Sequence, residues 1–453
     1  MSEQATRPMR RILGLGFGLA MVFGGTVGVG ILRLPGTLAA ALGSVRWILI
    51  FWVVGGLYAL LGAAAVAELA AMMPQAGGFY VYARRAFGNG IGFVMGWSDW
   101  FNNVASLAYA AITAVTFLGV LWPGANAHAR AGAVAVVLVF TALHWRGLRM
   151  GGALTRLISS SIGLMLLILV AACFLSPAAA ASKNLPGAAA SLPLRSWGML
   201  AAVVTALRAV FVTYDGWYSP IYLAEESKNP TRMLPRALIG GTLVIIVLYV
   251  LINAAILRVV PLPVLALSQL PAADAARAVL PRGGAELITV ISLLTVLSLV
   301  NAVLLMTPRI LLAMGRDGMF ARKAAVVSAN GTPRLALLTT SAMGVVLILS
   351  GTFEQIVALA AVLFLLNYIS AYLALFVLRR REPAAPRPWR ALGYPATTAI
   401  VLAGCLLLLA AAILEDWRSA LAAALFLLAC APVFRWLIRP HLPSSSNRAA
   451  APP

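Results

Sequence analysis

GLGFGLAMVFGGTVGVGILRLPG, residues Gly14–Gly36, is apolar enough to cross a membrane, yet it carries Gly24, Gly25, Gly28 and Gly30 followed by Pro35. Each glycine inside a helix costs about 1 kcal/mol relative to alanine. Close packing of helices through small residues is one use for them; an interruption of the helix is the other. A second stretch bears on the choice. TALRAVFVTYDGWYSPIYLAEESKNP, Thr205–Pro230, breaks another apolar run with Asp215, Gly216 and Pro220. Two broken spans in corresponding positions of two halves point to an inverted-repeat transporter, in which the breaks form the solute site.

The rest of the chain fits that frame. Its 453 residues are 62% hydrophobic and 10% charged, with a mean hydropathy of +0.95. No soluble core hides so much apolar sequence. Runs of about 20 apolar residues, the length that crosses the hydrocarbon, lie near 12–41, 45–71, 91–121, 130–146, 152–175, 197–223, 237–260, 284–314, 335–350, 354–378, 395–414 and 417–438. The sequence therefore predicts an all-α polytopic membrane protein with twelve transmembrane helices, of which the first and sixth are discontinuous. The first run is long and followed at once by others, so no cleavable signal peptide is expected. The outer stretch between Pro263 and Pro281 has room for one short amphipathic helix.

The net charge of +21 raises nucleic-acid binding as a class, but the placement of the charges excludes it. With the N-terminus in the cytoplasm, most lysines and arginines fall in the tails and inner loops, the positive-inside pattern. The run RRREPAAPRPWR (Arg379–Arg390) belongs to it and suits contact with anionic lipid. Cys173, Cys405 and Cys430 lie in apolar runs and imply no disulfide framework.

At a broken helix, the first N–H groups of one half and the last C=O groups of the other lose their partners. Such breaks persist beside protein or a polar cavity, not in lipid. A zwitterion suits that cavity: its carboxylate takes the N–H groups at the positive end of the half-helix, and its ammonium takes the freed carbonyls. Gly28 and Gly30 let the backbone leave the helix and the ligand come close. A small amino acid-like solute is expected at mid-membrane.

TVGVGIL with LPG resembles the first-helix motif of the amino acid–polyamine–organocation (APC) superfamily. MMPQAGGFYVYARRAFGNGIGFVMGW resembles its segment joining helices 2 and 3. FVTYDGWYSPIYLAEESKNPTRMLPRALIGG is similar to the helix 6–7 segment of the L-type amino acid transporter branch, AMGRDGMFARKAAVVSANGTPRLAL to the loop after helix 8, and RRREPAAPRPWRALGYP to the loop before helix 11. The resemblance implies a five-plus-five inverted repeat and an amino acid permease working by alternating access. Its organisation would be a cytoplasmic tail at 1–11, a transport core at 12–378 with repeats of about 12–175 and 197–378, and a cytoplasmic loop at 379–394. Two further helices at 395–438 and a disordered cytoplasmic tail at 439–453 would follow.

Carried over position by position, the resemblance places the carboxylate on the N–H groups of Gly28, Val29 and Gly30 and the ammonium at the carbonyls of Thr26 and Val27. Val212 stands where many relatives have a gating aromatic, with Phe211 beside it as a substitute. Tyr214, Asp215 and Gly216 form the helix 6 break. Many relatives also place a lysine in span 5 near the level of Ile162 or Gly163. Here the three lysines are Lys183, Lys228 and Lys323, none within a span, so lysine-based proton coupling is excluded. Exchange remains open, as does a coupling ion: Na⁺ held by Ser159, Ser160 or Ser161 with helix 1 carbonyls, or a proton on an acid. The serine triplet reads more readily as a packing surface than as an ion site.

Charged groups inside spans are usually functional or paired. Asp215 is a candidate for the ammonium or for a proton, or else a hydrogen-bond acceptor for the unwound backbone. Asp99 and Glu68 lie nearer inner ends and are expected to pair with inner arginines. Arg208 reads as an outer lid to Asp215 or as a cation paired elsewhere. Asn301 and Asn367, on spans 8 and 10, line the solute path or bond helices together. His128, His144 and His441 do not converge with a nucleophile or metal-ligand motif, so neither an enzyme nor a metal or other cofactor is expected. A sensor without transport lacks a signalling domain. No outer-loop cysteine offers attachment to a single-pass partner, so no obligatory protein partner is expected.

The sequence thus predicts a permease of the inner membrane for small neutral amino acids; cationic amino acids or amines are the alternative that Asp215 permits. Both termini should be cytoplasmic. In a background lacking the native cysteines, a membrane-impermeant thiol reagent added outside should modify Lys183→Cys and spare Lys228→Cys; the reverse pattern would contradict this topology.

Overall fold

The computed structural model describes residues 9–177, 197–351 and 353–438. Lys183 and the tail after Ile438 lie outside the described residues. Among the described residues the protein is all-helical, and its β-type pairing is one isolated bridge between Leu13 and Ser227.

Span 1 is split into α1 (Leu15–Thr26) and α2 (Gly30–Leu42), whose axes bend by 47° at the break. Span 2 is α3 (Val45–Met72), joined through α4 (Phe79–Phe87) to span 3, α5 (Asn89–Leu121). Spans 4 and 5 are α6 (Ala129–Trp145) and α7 (Leu148–Leu175). Span 6 begins as α8 (Trp197–Thr213), turns at Tyr214–Tyr218, and finishes as a 3-10 segment, Ser219–Glu226. Span 7 is α9 (Pro230–Val259). The connection after span 7 holds two short helices, α10 (Leu262–Leu267) and α11 (Pro271–Val279), rather than one. Each has a proline in its first turn, where the missing N–H costs nothing, and Ser268 ends α10 before Pro271 can begin the next. Span 8 is α12 (Gly284–Met306) continued by α13 (Pro308–Arg316). The last four spans are α14 (Arg334–Ser350), α15 (Phe353–Arg381), α16 (Ala396–Glu415) and α17 (Trp417–Val433).

Among the described residues, eight helices are individually long and apolar enough to cross a membrane. With the bent pair and the three shorter apolar helices of spans 4, 6 and 9, they account for the twelve expected spans. Helices outrun the apolar runs where a polar first turn is still helical. Span 7 starts at Pro230 rather than near 237 because Pro230 presets the helical φ and Asn229 bears the carbonyl that receives Met233 N–H at 2.7 Å.

Spans 1 and 6 meet at their breaks. Gly216 adopts φ +104°, a region that favours glycine, and a Cβ there would collide with the carbonyl of Gly25. A side chain on Gly25 would in turn meet Ser219 Oγ and Gly216 O. The two backbones are therefore in direct contact, which accounts for glycine at both positions.

Ion pairs tie together the opposite, basic end of the bundle. Glu226 and Arg309 form a buried pair at 2.8 Å between the end of span 6 and α13. Glu225 binds Arg316 at 2.8 Å and accepts from the N–H of Ala76 at 3.1 Å. Glu68 pairs with arginines, as expected: Arg379 Nη2 at 2.6 Å and Arg387 Nε at 3.2 Å, with Ala391 N–H at 2.7 Å. The start of the described chain joins this end, since Leu13 N–H donates to Glu226 O and Lys228 N–H to Leu13 O, both at 2.9 Å.

Candidate functional site

The span 1 break leaves three residues between its two helices. Thr26 ends α1, Val27 turns to an extended backbone (φ −74°, ψ 98°), and Gly28 and Val29 lead to Gly30 at the start of α2. Thr26 and Val27 are buried, whereas Gly28, Val29 and Gly30 are half-buried. A Cβ at Gly28 would meet only Thr26 O, at 3.9 Å, so the space beside it is open. At Gly30 a Cβ would come within 3.2 Å of Thr213 Oγ1. A recess therefore opens beside Gly28, ahead of the first turn of α2, with Thr213 at the end of α8 alongside Gly30.

Span 7 braces the recess. The buried hydroxyl of Tyr249 lies 2.9 Å from Thr26 O and 3.1 Å from Thr213 O, the carbonyls that end the first halves of spans 1 and 6. It donates to one of them at a time. The unpaired cost of a buried carbonyl, about 1–3 kcal/mol, is thereby reduced at both breaks by one phenol. Tyr249 carries no sequence signal, being one aromatic residue in an apolar run.

On the other side of span 6, Phe211, Tyr214 and Asp215 line a small pocket with Trp217, with Gly55, Tyr58 and Ala59 of α3, and with Tyr368 and Tyr372 of α15. Tyr368 Oη donates to Asp215 Oδ1 at 2.7 Å. The Tyr368 and Tyr372 rings stack at 5.9 Å, one helical turn apart, so their i, i+4 spacing in NYISAY was the available signal for them. Phe211 packs edge-on against Tyr58 at 5.6 Å and lies near Phe364 and Tyr368. Aromatic walls around one carboxylate form a setting that favours a cation.

The predicted residues thus fall into two groups on either side of the Gly25–Gly216 contact: Thr26, Val27, Gly28, Val29 and Gly30 on one, and Phe211, Tyr214 and Asp215 on the other. Two residues are not brought into either. Val212 is 59% exposed on the outer face of α8, because Phe211 takes the inward position. Asn301 is buried between spans 8 and 5 and donates to Thr155 Oγ1 at 2.8 Å. Asn367 is buried on span 10, and among the described residues neither amide atom has a hydrogen-bond partner.

Of the serine triplet, Ser159 alone is buried, and it donates to Ala20 O of α1 at 2.9 Å. A Cβ at Gly24 would meet the hydroxyls of both Ser159 and Ser298, so spans 1, 5 and 8 converge there through small polar groups. Arg208 pairs with Glu415 at the end of α16, not with Asp215. Among the described residues Asp99 pairs with no arginine; its carboxylate accepts from Tyr222 and Asn103. The nearby Arg84 is held instead by Asp317.

Against known proteins, residues 18–431 match the family described as amino acid permease. The chain belongs to the amino acid permease family, in the APC superfamily. This permease is 26% identical to the serine/threonine exchanger SteT of Bacillus subtilis over 94% of its own length and 96% of SteT. It is 25% identical to the b(0,+)-type amino acid transporter 1 of Mus musculus over 85% of this chain and 80% of that protein. Polyamine transporter PUT1 of Oryza sativa is 30% identical over 77% of this chain and 64% of its own. These relatives are transporters, so the permease is a multi-pass membrane transport protein and not an enzyme.

The recess predicts a specific pattern for its glycines. Gly28→Leu and Gly30→Leu should each reach the membrane in near-normal amount but lose uptake, because the new side chain occupies the space in front of the α2 N–H groups. Gly28→Ala, which meets no clash, should retain partial uptake with weakened affinity. Quantified membrane protein together with labelled amino acid uptake checks this; normal uptake by both leucine variants would contradict it.

Proposed function

We propose that the permease carries small, chiefly neutral amino acids by alternating access, with the solute held across the paired breaks of spans 1 and 6. The observation that carries this reading is the half-buried recess at Gly28–Gly30, flanked by a helix N-terminus and by the carbonyl ends at Thr26 and Thr213. The α-carboxylate takes the N–H groups of Gly28, Val29 and Gly30, and the ammonium takes the carbonyls of Thr26 and Val27. Such recognition uses backbone, so it selects an amino acid without choosing its side chain. Neutral substrates fit the small, apolar residues of the recess, and the resemblance to a serine/threonine exchanger supports that choice.

The positions of the breaks, five spans apart, support an inverted repeat of spans 1–5 and 6–10, with spans 11 and 12 added. The placement of basic residues supports cytoplasmic termini in a bacterial-style inner membrane. A second reading, cationic amino acids or amines, is favoured by the Asp215–Tyr368 pocket and by the polyamine transporter among the relatives. The permease acts in this reading without an obligatory partner.

Proteoliposomes loaded with one amino acid and offered a labelled panel outside distinguish the two: small neutral amino acids should exchange fastest, whereas preference for lysine, arginine or diamines selects the second. Asp215→Asn should weaken binding of the preferred substrate by about 1.5–3 kcal/mol if its carboxylate meets the ammonium. Unchanged affinity would leave Asp215 as a support for the span 6 turn.

A further inference from the structure

The solute site leaves one buried acid without a role. Asp99 lies inside α5 and is 1% exposed. Its Oδ1 accepts from Tyr222 Oη at 2.8 Å and Asn103 Nδ2 at 3.0 Å, and its Oδ2 is 3.0 Å from the same phenol. A carboxylate in an apolar span is expensive unless it is paired or neutralised. Here five arginines of the surrounding elements are committed elsewhere: Arg84 to Asp317, Arg85 to Glu382, Arg309 to Glu226, Arg316 to Glu225, and Arg379 to Glu68. Arg334 of α14 stacks on Trp145. Other titratable or charged side chains on elements packed against α5 include Tyr80 and Tyr82 of α4, His128 before α6, Arg130 and His144 of α6, Glu286 of α12, Tyr368, Tyr372, Arg380 and Arg381 of α15, and Arg418 and Cys430 of α17. Tyr222 and Asn103 are the groups that bond the carboxylate.

Those contacts link Asp99 to parts with different tasks. Tyr222 belongs to Ser219–Glu226, the 3-10 segment completing the broken span 6, whereas α5 is continuous. The Tyr222 ring lies 6.1 Å from that of Tyr218, which is 5.7 Å from that of Tyr368, whose hydroxyl donates to Asp215. A column of phenols therefore runs from the pocket acid to Asp99.

We propose that Asp99 is a proton-binding site that couples transport to a proton gradient, with Tyr222 conveying its charge to the second half of span 6. This rests on the transporter reading of the fold. Ionised Asp99 receives charge-assisted hydrogen bonds and holds the segment against α5. A proton on Oδ removes the charge and one acceptor position, which weakens the Tyr222 bond and releases the segment. The same proton leaves on the other side of the membrane after the segment has moved, and nothing is oxidised or reduced.

The test uses the full-length protein in proteoliposomes. Asp99→Asn, fixed in the neutral form, should keep amino acid exchange in the absence of a pH gradient and lose accumulation driven by one. Tyr222→Phe, which keeps the acid, should shift the pH dependence of accumulation. Gradient-driven accumulation that is normal in Asp99→Asn, or absent from a wild type that exchanges amino acids, overturns the proposal, as does an unshifted pH dependence in Tyr222→Phe. Infrared difference spectra between acidic and alkaline buffers decide the matter without transport. The wild type should show a carboxylic-acid carbonyl band that Asp99→Asn lacks, and a band unaffected by the substitution, or no band, overturns it. Failure of the wild type to exchange any amino acid, with the Asp99 band present, falls on the transport reading alone.

Discussion

Gly216 turns span 6 with a positive φ and its backbone lies against the carbonyl of Gly25 in span 1. Two helices meet there without side chains between them. That contact sets the geometry of the rest: it fixes the two breaks at one level, brings the carbonyls of Thr26 and Thr213 within reach of one Tyr249 hydroxyl, and turns the N-terminus of α2 toward a recess. An unsatisfied backbone group in lipid costs several kcal/mol, so the breaks persist because spans 2, 7 and 10 pack against them.

The surrounding bundle divides between parts that hold and parts that are lightly held. At the basic end, Glu226–Arg309 is buried, and so is Glu68 beneath two arginines, of which Arg379 is partly exposed. Removing one member of such a pair strands a charge, which costs about 3–5 kcal/mol, so these pairs define the arrangement of span ends. Around the recess the contacts are hydroxyls, carbonyls and small residues, such as Ser159 on Ala20 and Ser219 on Gly216. Each contributes about 1 kcal/mol, a scale compatible with rearrangement during a transport cycle.

Much of the fold was legible because hydrophobic length reports spans and glycine or proline reports their breaks. TVGVG and YDGWYSP are such reports, and the structure interrupts both. Less was legible where orientation around a helix decides. Val212 and Phe211 are neighbours in sequence, yet one faces outward and the other the pocket. Asn301 shares its span with Ser298 but turns toward Thr155. Tyr249 and Tyr222 were invisible because their partners lie far along the chain, and Asp99 was expected to find an arginine that Asp317 had already taken. The outer loop split into two helices because a proline placed within it can start a second one as readily as end the first.

The central claim is that the backbone of the span 1 break recognises the charged ends of an amino acid. It is tested most directly by binding competition on the purified permease, comparing an accepted amino acid with its methyl ester and its N-acetyl derivative, which share the side chain. The account predicts that both derivatives fail to displace the parent, because each removes one charge that the N–H groups or carbonyls receive. Displacement by either derivative as effective as by the parent amino acid would contradict it.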